Sequence, residues 1–95
     1  MGDSPGHRIR RLAYSFPSLR TYYGGVKPWN ASELDEWAAG PASHGEKVTA
    51  RLLLAIWDPN HTWTAGRFDV MEALRVWDDE HREAFLEWAS DPWWP

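Results

Sequence analysis

The chain of 95 residues contains no cysteine. Disulfide staples, thiolate zinc sites and cysteine nucleophiles are therefore excluded. Long apolar runs are also missing. The longest covers residues 52–57, against about 20 residues needed to span a bilayer. The first residues hold no apolar signal-peptide core, and Gly2 is not followed by Ser or Thr at the spacing myristoylation prefers. These absences predict a cytoplasmic protein with no membrane partner.

Motifs of catalysis are equally scarce. His7, His44, His61 and His81 are scattered, with no pair at the helical spacing of a zinc-binding HExxH. Asp58 with His61, or Asp78 with His81, can be written as a metal or acid–base pair. Each aspartate also stands where a helix ends or begins, and capping explains it more simply. Tyr22-Tyr23-Gly24-Gly25 lacks the Lys and Ser/Thr of a phosphate loop, and no serine elbow is present. Acidic residues are plentiful, but abundance does not set two carboxylates across a glycosidic bond. The expectation is a protein that is not an enzyme, with no cofactor and no metal.

What is present fits one small globular domain, 43% hydrophobic and 25% charged. At 11.0 kDa, surface scaling gives roughly 5,600 Å² exposed when folded, against about 16,000 Å² unfolded. That is enough for one modest core. Helical punctuation runs from Asn30 onward. Asn30 or Ser32 can cap a short helix that Gly40-Pro41 stops. Ser43 with Glu46 is a capping box, opening a helix whose Val48, Leu52, Ala55 and Ile56 form one stripe. Leu53, Leu54 and Trp57 widen it, marking the central buried helix, and Asp58-Pro59-Asn60 ends it. Residues 61–68 read as a loop. Asp69 with Glu72 starts a third helix, striped by Val70, Ala73, Leu74 and Trp77. Asp78 or Asp79 caps a fourth, with Ala84, Phe85, Trp88 and Ala89 inside and an Asp78–Arg82 pair outside. Leu12, Tyr14 and Phe16, then Leu19, Thr21 and Tyr23, alternate as short strands do. The expected fold is mainly α: a small single-domain bundle of about four helices over residues 30–95. Residues 1–29 form a basic N-terminal arm, irregular or hairpin-bearing.

Charge is divided along the chain. Residues 1–27 carry five basic side chains against one acidic, a net of +4. Residues 69–95 carry eight acidic against two basic, a net of −6. The arm's Arg8, Arg10 and Arg11 could hold a phosphate backbone while nearby tyrosines stack bases. The bland alternative lays the arm over the chain's own acidic body. Overall acidity, and an acidic last helix with Asp79, Glu80, Glu83 and Glu87, make nucleic acid the disfavoured partner. The same acidic face allows an inhibitor of phage or mobile-element type that fills a basic nucleic-acid-binding groove.

Eight tryptophans together can bury about 1,200–2,000 Å². Trp37, Trp57, Trp77 and Trp88 fall on helical stripes and read as core. Trp29, Trp63, Trp93 and Trp94 fall off them. Exposed tryptophan is enriched at interface hot spots, so Trp63, Trp93 and Trp94, with Tyr22 and Tyr23, are the candidate partner-binding residues. The leading expectation is a non-catalytic module that binds a protein partner or its own copy.

The ending Pro92-Trp93-Trp94-Pro95 matches the namesake of PWWP chromatin readers. The match covers four residues and nothing else, so neither their β-barrel nor a methyl-lysine cage is expected. The run Phe68-Asp69, Ala73-Leu74, Val76-Trp77-Asp78, His81-Arg82, Ala84-Phe85-Leu86, Trp88-Ala89, Asp91-Pro92-Trp93-Trp94-Pro95 resembles the ending of short uncharacterised bacterial proteins. The resemblance covers about residues 51–95, implies a compact helical module and carries no activity.

Overall fold

A computed structural model describes residues 4–20 and 25–95. Its elements are α1 (Pro5–Tyr14), α2 (Pro17–Arg20), α3 (Ala31–Ala39), α4 (His44–Trp57), α5 (Val70–Val76) and α6 (Asp79–Ser90). The chain is mainly helical, as the capping pattern predicts, and no strand occurs among the described residues. Its accessible surface, 5714 Å², is what a single folded domain of this mass exposes.

The caps explain where the helices start. Asn30 accepts the Glu33 amide, Asp69 those of Met71 and Glu72, and Asp78 that of His81. Ser43 and Glu46 exchange hydrogen bonds in the expected capping box. Helix α4 buries Val48, Thr49, Ala50, Leu52, Leu53, Leu54 and Ile56, most of its circumference. It is the central helix, packed by α1, α2, α3 and α5. Each fully buried leucine contributes roughly 1.5–3 kcal/mol, so α4 is the main source of core stability.

The N-terminal segment differs from the expected arm or hairpin. It forms two helices, making six among the described residues rather than about four, and Ile9, Ala13, Phe16 and Leu19 are wholly buried in the common core. Ser4 caps α1 and Pro5 sits in its first turn, where a missing amide costs nothing. Ile9, Leu12, Ala13 and Phe16 are spaced i, i+3, i+4 and i+7, a helical stripe that the alternation of Leu12, Tyr14 and Phe16 obscures. Residues on both sides of position 29 contribute to the same core. Tyr22 and Tyr23 lie outside the described residues.

Gly25 joins these helices to the rest. Its φ is +82°, and a Cβ there would stand 2.4 Å from the Leu34 amide nitrogen. Only glycine allows the turn to press so closely onto α3.

Two stripes are also corrected in detail. Val70 and Ala89 are exposed rather than inward. On α6 the buried position falls to His81, which with Ala84, Phe85 and Trp88 completes the inner face at i, i+3, i+4 and i+7. Arg82 pairs with Asp79 instead of Asp78, whereas Asp78 Oδ1 accepts from the His81 amide and ring.

Candidate functional site

Trp37 and Trp77 are buried, and Trp57 and Trp88 are partly buried against the core. The off-stripe tryptophans divide. Trp29, Trp63 and Trp93 are half-buried and pack on the core. Trp29 packs at a tilt of 54° against Trp57, with ring centroids 5.3 Å apart. Trp63 donates its indole N–H to the Asp58 carbonyl at 3.3 Å and lies against the His61 ring, centroids 4.1 Å apart. Trp94 alone keeps most of its ring open, 55% exposed. It stands edge-on to Trp88, with centroids 5.6 Å apart at 80°.

The tail brings the two ends of the chain together. The Arg8 guanidinium lies 4.0 Å above the Trp93 ring, a cation–π contact. Trp88 donates its indole N–H to the Trp93 carbonyl at 3.2 Å. Between α1 and the end of α6 runs a groove of about 580 Å³. Its floor includes Leu12, Trp88 and Trp93; Arg8 and Arg11 line one side, Glu87 and Asp91 the other. Trp94 touches Trp88, one of the lining residues.

The basic residues thus belong to a folded helix. Arg8 covers Trp93, Arg11 lines the groove, and Arg10 turns toward Trp29, its Nε buried. Arg20 reaches Glu80 at 3.7 Å. On the acidic face, Asp79, Glu80, Glu83 and Glu87 are all exposed. Asp79 and Glu80 are paired with arginines, whereas Glu83 and Glu87 have no side-chain partner among the described residues. Leu86, 57% exposed, stands on the outer side of α6, turned away from Trp88 by the helical period.

A second constellation was not legible in the sequence. His81, 8% exposed, places Nδ1 2.7 Å from Asp78 Oδ1 and Nε2 2.9 Å from the Ser18 hydroxyl. The Ser18 amide also donates to Nε2, at 3.2 Å. An amide can only donate, so Nε2 is the acceptor and Nδ1–H points to Asp78. The Ser18 hydroxyl lies 3.3 Å from Thr49 Oγ1, which accepts from the Trp77 indole at 2.8 Å. The Asp78 carboxyl is held below the ordinary aspartate value of 3.8 by the His81 amide first, then by the His81 side chain. Aspartate, histidine and serine stand in the order of a hydrolase triad. Ser18 nevertheless lies between His81 and Thr49, and neither Ser18 nor His81 lines the groove or the clefts described here. The arrangement ties α2, α4 and α6 together, and its contacts span up to 63 residues; the Asp78–His81 spacing was its one sequence signal.

The loop between α4 and α5 is tied as firmly. Asp35, 9% exposed, accepts the amides of Thr64 at 3.1 Å and Ala65 at 2.7 Å. Arg51 donates Nε to the Ala65 carbonyl at 2.7 Å and Nη1 to Glu72 at 3.0 Å. The loop walls a cleft of about 540 Å³. Among the described residues, no group of three or more His, Asp and Glu side chains is placed to hold a metal ion. No helix of the described residues is long and apolar enough to cross a membrane. No protein-family model, no curated protein and no solved structure matches the chain.

Proposed function

We propose that the chain is a non-catalytic protein-binding module, with Trp94 as its anchor and the groove between α1 and α6 beside it. The carrying observation is an indole more than half exposed yet oriented by its edge contact with Trp88. A large ring already held in place loses little entropy when a partner covers it, the property that makes tryptophan a hot-spot residue. The groove adds selectivity. Leu12, Ala84 and Trp88 offer apolar contact beside the Arg8-covered Trp93 ring, while Glu87, without a side-chain partner among the described residues, and nearby Asp91 favour a partner segment that carries arginine or lysine on the side away from Arg8 and Arg11. The partner is a protein that offers an apolar pocket for Trp94, with basic residues at its edge; a second copy of the chain, equally acidic, fits that description less well.

The test is capture of the partner on immobilised full-length chain, followed by titration with the purified partner. Trp94→Ala is expected to weaken binding at least tenfold, about 1.4 kcal/mol. Glu87→Arg should weaken it and flatten its salt dependence, and Leu86→Ala on the opposite side of α6 should leave it unchanged. Binding that ignores Trp94, collapses with salt and depends on Glu83 would replace this reading with that of an acidic inhibitor seated in a basic groove. Co-purifying nucleic acid, released when Arg8, Arg10 and Arg11 become alanine, would favour a nucleic-acid binder.

A further inference from the structure

The cleft under the 58–68 loop is built from parts that point to a second kind of ligand. Its lining includes three rings: Trp63 with the His61 ring against it, and Phe68. Two of the polar groups are arginines. Arg51 enters from α4 with its guanidinium fixed at two points, Nε on the Ala65 carbonyl and Nη1 on Glu72. Its Nη2 makes no hydrogen bond among the described residues and lies under Gly66, 3.9 Å from where a Cβ would stand. Gly66 has a φ of +98°, so glycine lets the loop bend over the guanidinium without covering it. Arg67 lines the same cleft, is exposed, and has no hydrogen-bond or ion-pair partner among the described residues. The lining carboxylate is Asp58, one of whose oxygens accepts the Asn60 amide at 3.1 Å.

Rigidity strengthens the reading. Thr64 and Ala65 are pinned by Asp35, and Ala65 again by Arg51, so the loop holds its shape before any ligand arrives. A volume of about 540 Å³ falls within the roughly 300–1,000 Å³ of small-molecule sites. We infer that this cleft binds a small organic anion, a molecule with one planar ring and one phosphate or carboxylate group. The ring lies against Trp63 and Phe68. The anion meets Arg67 and the open edge of Arg51, a charge-assisted contact. Asp58 accepts from a donor on the ring and discourages a second negative charge at that end.

The inference is independent of the protein-binding face. Its test is titration of the full chain with adenosine monophosphate and with phenyl phosphate, followed by amide and indole NMR shifts. Adenosine and inorganic phosphate, which carry the ring or the anion alone, are the controls. Saturable shifts are expected at the Gly66 amide and the Trp63 indole, with each control at least tenfold weaker. Arg67→Ala, a change at an exposed residue, should weaken binding about tenfold or more, and Trp94→Ala should not alter it. The inference is overturned if neither probe saturates at millimolar concentration, if the shifts map to the groove beside Arg8, or if Arg67→Ala binds as well as the parent.

Discussion

At the residue scale, Asp78 shows how one side chain serves two ends. Its carboxylate accepts both the amide that opens α6 and the imidazole N–H of His81. Both contacts favour the ionised form, so its folded-state pKa lies below the ordinary 3.8. A carboxyl lowered on folding contributes stability that is fully present above its unfolded value. That stability is lost as pH falls through the folded value. Urea midpoints of the parent should therefore decline as pH drops below about 4. Asp78→Asn should be less stable at neutral pH and should decline less over the same acid range. A variant that tracks the parent in parallel down to pH 2 would show that the Asp78 contacts do not contribute. The aspartate itself was legible as a cap. What His81 does with its other nitrogen was not, because Ser18 lies 63 residues away and no local pattern announces the contact.

At the element scale, the starts of α3, α4, α5 and α6 were all readable, since a cap and the amides it satisfies lie within three residues. Helix α1 was missed although its stripe is regular. Its arginines at 8, 10 and 11 suggested a solvated arm, and three apolar residues at alternate positions fit a strand as well as a helix. The fold of the 58–68 loop was unreadable for a different reason. Its fastenings reach 29 and 30 residues back to Asp35 and 14 to Arg51, distances at which sequence spacing says nothing. The loop should accordingly respond to Asp35 as a unit. In Asp35→Asn one carboxylate oxygen becomes an amide that cannot accept, leaving the Thr64 or Ala65 N–H without a partner. The expected cost is about 1–3 kcal/mol. Hydrogen exchange should quicken at the Thr64 and Ala65 amides well beyond any change in the middle of α4. Equal acceleration in both places would mean that the loop has no separate opening and merely follows the core. The cleft proposed as an anion site should loosen with the loop.

At the scale of the whole molecule, the question is whether the tail closes the fold or only decorates it. Trp93 carries Arg8 on its ring and takes the Trp88 N–H on its carbonyl, joining the first helix to the last. Trp94 touches Trp88 but stays mostly open. Removing residues 92–95 deletes a cation–π contact of about 0.5–1 kcal/mol and a hydrogen bond of about 1 kcal/mol. Partial burial of the Trp93 ring adds roughly another 1–2 kcal/mol. The sum, roughly 2–4 kcal/mol, is below the 5–14 kcal/mol or so expected for a domain of this length. The shortened chain should therefore remain helical by circular dichroism, with a lower urea midpoint. Trp93→Ala should reproduce most of that loss and Trp94→Ala little of it. Such a separation would make Trp94→Ala a clean test of the proposed anchor, because its removal would take away contact surface without disturbing the groove. If Trp94→Ala destabilises the chain as much as Trp93→Ala, both rings are plugs of the fold, and a partner's anchor must be sought on the outer side of α6, where Leu86 is exposed.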